Sequence, residues 1–275
     1  MRKKRRFVFR PMRVLKHLFL IVVSFLSAFP FYWMVSAATN NTADIILGQI
    51  APGSYLLQNW QTLTASGRIV PAFYNSVRNA VLLTLSSLFV SSMAGYGFVI
   101  FRDKWKNRVM AVLMLSMMVP AAATLIPLFR MFSQLGLMNT VLGFMLPGVS
   151  TVFLIFMFRQ ASQTFPQEIV QAARIDGLGE FRIFLKMFVP VMRPTYAAAA
   201  IVTFMNAWNS YLWPLVILQD PAQITLPIYA GSFRGGYVLD YGAIMLVVTI
   251  STIPMLVIFF TLQKSFVQGI LGSVK

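Results

Sequence analysis

The run Gln171-Ala-Ala-Arg-Ile-Asp-Gly177, followed after nine residues by Met187-Phe-Val-Pro190, is a polar interruption in an otherwise apolar chain of 275 residues. Glu168, Gln171 and Asp176 offer hydrogen-bonding groups there, Ala172 and Ala173 let another surface approach the backbone, and Gly177 and Pro190 punctuate the segment. That is the chemistry of docking. Covalent chemistry has no comparable candidates. Cysteine is absent, which excludes disulfides and thiolate metal sites, and the single histidine, His17, adjoins a basic run; no catalytic or metal site is expected. No Gly-x-x-x-x-Gly-Lys-Ser/Thr phosphate loop occurs, so the chain is not expected to hydrolyse ATP by itself. A second polar set, Asn206, Trp208, Asn209 and Tyr211, lies inside an apolar run. Amides and rings there suit stacking on sugar faces and hydrogen bonding to hydroxyls, but amides also bridge helices and aromatic residues anchor spans at interfaces.

The elements that must position these residues are membrane helices. Hydrophobic residues make up 58% of the chain, charged residues 11%, and the mean hydropathy is +0.73, values incompatible with a water-exposed domain of this length. A spanning helix needs roughly 20 apolar residues. Six segments qualify, at about 18–38, 73–101, 109–132, 141–158, 191–218 and 241–262. The expected fold is all-α and polytopic, with a basic N-terminus over 1–17 and a transmembrane body over 18–275. The opening Met-Arg-Lys-Lys-Arg-Arg before an apolar stretch resembles a secretion signal. The stretch is longer than a usual signal core and is read as an uncleaved first span, although it ends in a cleavable-looking Ser-Ala-Ala-Thr.

The net charge of +16 comes from residues grouped in short segments between apolar runs, which speaks against nucleic-acid binding. With the N-terminus in the cytoplasm, all of the 23 lysines and arginines except Arg68, Arg78, Arg130 and Arg234 fall on that side. This positive-inside distribution puts both termini and the Gln171 segment in the cytoplasm. Two long outward connections, 39–72 and 219–240, are rich in Gly, Pro, Asn and Gln and read as loops without helical periodicity; 134–140 reads as a tight turn. An ion-coupled carrier would need carboxylates at membrane depth, but all seven acids fall in connections.

Within the cytoplasmic segment 159–190, Pro166 suits a first helical turn, Glu168 the positive helix end, and Gly177 a left-handed terminus. Ile169, Ala172, Ala173 and Asp176 are expected to share one side of a helix of about ten residues. After Gly177, Phe181, Phe184, Leu185 and Phe188 form an apolar stripe that Pro190 separates from the fifth span. Two short helices joined by a glycine make a stiff knob. Lying flat on the headgroups as an amphipathic hairpin is the simpler alternative.

The spacing Gln171-Ala-Ala, Gly177, Met187-x-Val-Pro190 resembles the cytoplasmic coupling loop of ABC-importer permeases, with glutamine, methionine and valine where that pattern has glutamate, isoleucine and leucine. The stretch 204–218 is similar to the fifth span of carbohydrate-uptake permeases, the group that includes the smaller maltose-transporter and glycerol-3-phosphate permeases. The end, Gln263 to Lys275, is similar to the tails of their second permease subunits. The resemblance implies a multi-pass inner-membrane permease, without enzymatic activity of its own, in a sugar importer. Its implied partners are a second, different permease, two ATP-binding subunits that hold ATP and Mg, and an extracytoplasmic sugar-binding protein, with lipid around the spans. A permease for glycerol-3-phosphate or another polyol derivative is the alternative within the same architecture. The resemblance further implies that Gln268 and Gly269 in the tail reach the ATPases, and that the loop with Phe233, Arg234, Gly235, Gly236 and Tyr237 meets the binding protein. Gln171 offers only neutral hydrogen bonds, roughly half as strong as those of a glutamate. Pro120 and Pro127 in the third span, and Gly95 and Gly97 in the second, serve either bending or packing.

Overall fold

The computed structural model describes residues 11–101, 103–234 and 239–272, and every regular element among them is helical. In chain order these are α1 (Pro11–Ala37), α2 (Thr42–Ile46), α3 (Leu56–Thr64), α4 (Ile69–Ile100), α5 (Lys106–Ser116), α6 (Ala121–Gln134), α7 (Val141–Met145) and α8 (Val152–Ser162). There follow α9 (Gln167–Ile175), α10 (Glu180–Ile183), a π turn over Phe184–Phe188, α11 (Val189–Val191), α12 (Arg193–Trp208), α13 (Leu212–Ile217), α14 (Leu226–Ser232) and α15 (Tyr241–Gly272). The chain divides into two compact units: α1 to α3 together with Phe233–Ile250, and Ser66–Ser232 together with the chain from Ser251.

Three helices are long and apolar enough to cross a bilayer alone: Met12–Ala37, Ile69–Ile100 and Tyr241–Lys264. Three more spans arise only if bent pairs count as one each: α5 with α6 at 96°, Val141–Gly148 with α8 at 51°, and Glu180–Val191 with α12 at 83°. The expectation of single helices over 109–132 and 141–158 is therefore corrected. α5 ends at Ser116, and after a short turn Pro120 caps α6 from a β conformation (ψ 133°). Pro127, by contrast, sits inside α6 without breaking it.

The fifth span also differs from expectation. Its helix stops at Trp208, and Pro214 lies in the first turn of α13, where its missing N–H costs nothing; the break falls at Asn209–Ser210, before Trp213-Pro214.

In the first unit, α1 is exposed along its apolar length, with Leu18, Phe19 and Phe25 outward, as lipid contact requires. Its far end is built into a polar cap. Asn40, fully buried, donates through Nδ2 to the carbonyls of Ser36 (3.2 Å) and Ala51 (2.9 Å). Asn59 donates to those of Ala38 (2.9 Å) and Asn40 (3.0 Å). The outward connections are thus not plain loops, since 39–72 holds α2, α3 and the start of α4, and 219–240 holds α14. Asn41 caps α2 by accepting from the Asp44 N–H at 2.8 Å, α3 buries Asn59 and Leu63, and α14 buries Leu226 and Tyr229.

In the second unit, α4 is the axis. Ser87, Ser91 and Gly95 recur every four residues on a buried stripe. A Cβ on Gly95 would stand 2.6 Å from Phe158 Cβ and 2.7 Å from the Arg159 nitrogen, so α8 packs against bare backbone there. Packing is what Gly95 serves. The alanines of α12, Ala197 to Ala199, are buried in the same bundle, and Phe158 meets Tyr196 at 4.9 Å between ring centroids.

Candidate functional site

Helices of nine and four residues are too short to be stable alone in water. What holds α9 and α10 is an aromatic core. Ile183, Phe184 and Phe188 are essentially fully buried, together with Phe165, Val170, Ala173 and Tyr96 of α4. Ring centroids lie 4.9 Å apart for Tyr96–Phe188, 5.4 Å for Phe165–Phe188 and 5.6 Å for Phe184–Phe188. Burying Ile183, Phe184 and Phe188 contributes about 5–9 kcal/mol in total. That is enough to fix a short helical hairpin as one piece with α4.

Gly177 ends α9 as its position suggests. Its φ is +78°, the Leu178 N–H donates to the Ala173 carbonyl at 3.0 Å, and the Gly177 N–H donates to that of Arg174 at 3.0 Å. These two bonds make a Schellman cap, and Leu178 packs back onto the core. Across the cap, Arg174 Nε donates to Glu180 Oε1 at 2.6 Å. The contact holds the Arg174 guanidinium above its ordinary pKa, but both side chains are about 40% exposed, so solvent screening keeps its contribution small. The Tyr96 hydroxyl and Glu180 Oε2 are buried without a hydrogen-bonding partner among the described residues.

Two expectations for this segment are corrected. Ala172 and Ala173 do not line one face: successive helical residues are turned by about 100°, and Ala173 is buried against the aromatic core while Ala172 is exposed. The stripe after Gly177 splits too, because the π turn re-phases the helix. Phe184 and Phe188 point inward, while Phe181 and Leu185 are 56% and 43% exposed. The Val189 N–H donates to the Phe184 carbonyl, five residues back, just before Pro190 withdraws its own donor. Pro190 lies within α11, and the turn into the fifth span follows it at Met192. Pro166 is likewise the N-cap of α9 (ψ 119°), one residue before the first turn. The outward face of α9 consists of Glu168, Gln171, Ala172, Ile175 and Asp176. Ile175, 87% exposed, is the residue that sequence reasoning missed; its place seven residues after Glu168 and four after Gln171 is the signal that could have found it.

The second polar set is dispersed. Asn206 lines a cleft of about 580 Å³ between α4, α7, α8 and α12, with Thr151, Thr203, Ser210 and Trp213 among its other walls. Trp208 is buried away from it, donating to the Ser251 carbonyl at 3.1 Å and stacking on Phe204. Asn209 is exposed, and Tyr211 lies against Gly231, where a Cβ would meet its hydroxyl at 3.0 Å. Thr203, Asn206 and Ser210 follow helical spacing, which could have grouped them from the sequence. In the outer segment Phe233 is half-buried and Arg234 exposed; Gly235, Gly236 and Tyr237 lie outside the described residues. The helix of α15 passes through Gln268 and Gly269, whose side chains lie outside the described set. No cluster of metal-ligating side chains occurs among the described residues.

Residues 86–272 match the family described as binding-protein-dependent transport system inner membrane component. The chain is 46% identical to the lactose transport system permease protein LacG of Rhizobium radiobacter, over 95% of this chain and 96% of that one. It is 31% identical to the arabinooligosaccharides transport system permease protein AraQ of Bacillus subtilis (96% of each). Identity with the sn-glycerol-3-phosphate transport system permease protein UgpE of Pectobacterium atrosepticum is 29%, over 97% of this chain and 98% of that one. Among solved structures, a chain of a bacterial ABC transporter that imports the acidic polysaccharide alginate shares the fold, with a TM-score of 0.81 at 18% identity, over 94% of this chain and 97% of that one.

Proposed function

Because the chain belongs to the family of inner-membrane components of binding-protein-dependent transport systems, we propose that it is one of two different permeases of an ATP-driven sugar importer. It crosses the membrane six times with both termini in the cytoplasm. Two partner subunits hydrolyse ATP with Mg, and an extracytoplasmic sugar-binding protein delivers cargo. The observation that carries this reading is the rigid knob of α9 and α10, fixed to α4 by an aromatic core and presenting an exposed face around Ile175.

An ATPase that grips this face displaces α4 with it, since the knob cannot yield independently. For that displacement to exchange inward-open and outward-open states, the ATPase must bind the two conformations unequally. Ile175 supplies an apolar anchor and Glu168, Gln171 and Asp176 a polar surround, which offsets the neutral side chain at Gln171. Pro190 stiffens α11, the last turn of the knob before the bend at Met192. On the outer side, Phe233 to Tyr237 meet the binding protein; at the other end Gln268 and Gly269 reach the ATPases.

Substrate class follows from the cleft. Its named polar walls are hydroxyls, an amide and an indole, with no lysine or arginine in the lining. A neutral sugar matches that lining better than a phosphorylated polyol, for which a fixed cation would be expected. Asn206 is the sugar contact from this set, since it lines the cleft and Trp208, Asn209 and Tyr211 do not.

The test is reconstitution with candidate ATPases, permeases and binding proteins, scored by sugar-stimulated ATP hydrolysis and uptake of labelled lactose, arabinooligosaccharides and glycerol-3-phosphate. Uptake of a neutral sugar is expected, and stimulation by glycerol-3-phosphate alone would overturn the substrate class. Replacing Gly177 by valine forces a β-branched residue to φ +78°, at a cost of about 1–2 kcal/mol. It should abolish uptake with normal membrane insertion, whereas Gly177→Asn, which tolerates that conformation, should retain most of it.

A further inference from the structure

We propose that the corner between α4 and α5 is a binding site for one anionic phospholipid of the cytoplasmic leaflet. An apolar groove of about 280 Å³ lies there, lined by Ala94, Gly97, Phe98, Phe101 and Val109, with Lys106 at its polar edge. Lys106 Nζ donates to the carbonyls of Gly97 and Phe101, at the negative end of α4. An ammonium has three donors, so one is left for a ligand. Lys104 and Arg108 flank it, both exposed, and Arg159 is tied to the same corner by its Nη2 bond to Asn107 Oδ1 at 2.8 Å. Trp105, 64% exposed, carries Arg108 over its ring at 4.7 Å, an amphipathic pair suited to headgroup depth.

A topological anchor needs only charge outside the bilayer. This corner adds a slot for an acyl chain directly beneath the charge, which is what a headgroup-and-tail ligand requires and a free phosphate does not. Asp103 is the one carboxylate in the loop, and its Oδ1 is engaged by the Trp105 N–H at 2.9 Å. A Cβ on Gly97 would meet nothing within 4 Å, so the groove comes up to bare helix backbone. The inference assumes the inward orientation proposed above but not the identity of the cargo.

The experiment measures phosphatidylglycerol retained by the purified importer complex, by native mass spectrometry, against phosphatidylcholine and in the presence of millimolar inorganic phosphate. The unaltered complex is expected to keep phosphatidylglycerol in fixed stoichiometry, undisplaced by phosphate. Each cation near an anionic headgroup is worth about fivefold in affinity, so K104Q/K106Q/R108Q should weaken retention on the order of a hundredfold. The equally charged control R13Q/K16Q/K264Q should leave it unchanged. Gly97→Leu, which fills the slot and leaves every charge in place, should also lose the lipid. Equal retention by the triple variant and its control, retention unaffected by Gly97→Leu, displacement by phosphate, or no preference over phosphatidylcholine would each overturn the proposal.

Discussion

Tyr96 is surrounded by rings, and its hydroxyl is buried with no partner among the described residues. An unpaired buried hydroxyl stabilises nothing, so Tyr96→Phe should leave the melting temperature of the purified complex unchanged or raise it slightly, within about 1 kcal/mol. Phe184→Ala should cost about 3–5 kcal/mol in the same measurement, because it empties the centre of the core. A matching loss for both would mean that the hydroxyl is bonded after all. At this scale the sequence is partly legible. Gly177 can be read because a helix end needs a residue that accepts positive φ, and the structure has it there at +78°. The separation of Ala172 from Ala173 cannot be read, since which side of α9 turns inward depends on Tyr96, far away in the chain, and on Phe188, beyond the next helix.

Among elements, α4 sets the limits of tolerance. Gly95→Val would drive a side chain into the Phe158 backbone, since even its Cβ would stand 2.8 Å from the carbonyl carbon. Helix against helix cannot relax as a flexible side chain can, so the expected result is loss of folded permease, visible as aggregation on size-exclusion chromatography. Gly97→Ala, on the opposite side of the helix with open space around it, should behave as wild type in that assay. The long apolar helices α1, α4 and α15 are evident from hydropathy because length alone decides them. The bent pairs are not. Their angles of 96°, 51° and 83° depend on local turns and prolines whose geometry hydropathy does not record. The outer helices escape for another reason, that each is too short for periodicity to show: the Asn41 cap holds α2, buried Asn59 and Leu63 hold α3, and buried Leu226 and Tyr229 hold α14.

For the molecule as a whole, the polar cap of the first unit gives the most direct test. Gly242 faces it so closely that a Cβ would lie 2.5 Å from Asn59 Oδ1 and 2.8 Å from the Asn40 carbonyl. Gly242→Val should therefore open the cap. The absence of cysteine makes this measurable, because a single cysteine introduced at Leu63, fully buried in the parent, should react with a membrane-impermeant maleimide only in the valine variant. That cap also joins residues far apart in time. Thr42 Oγ1 donates to the Leu239 carbonyl and accepts from the Tyr241 N–H, partners separated by 197 and 199 residues. At the ordinary pace of translation, 5–20 residues per second, the second half of that contact leaves the ribosome roughly 10 to 40 s after the first. Through that interval the nascent outer segment carries Asn40 and Asn59 before Gly242 exists, so the earliest part of the chain to be made is among the last to be finished.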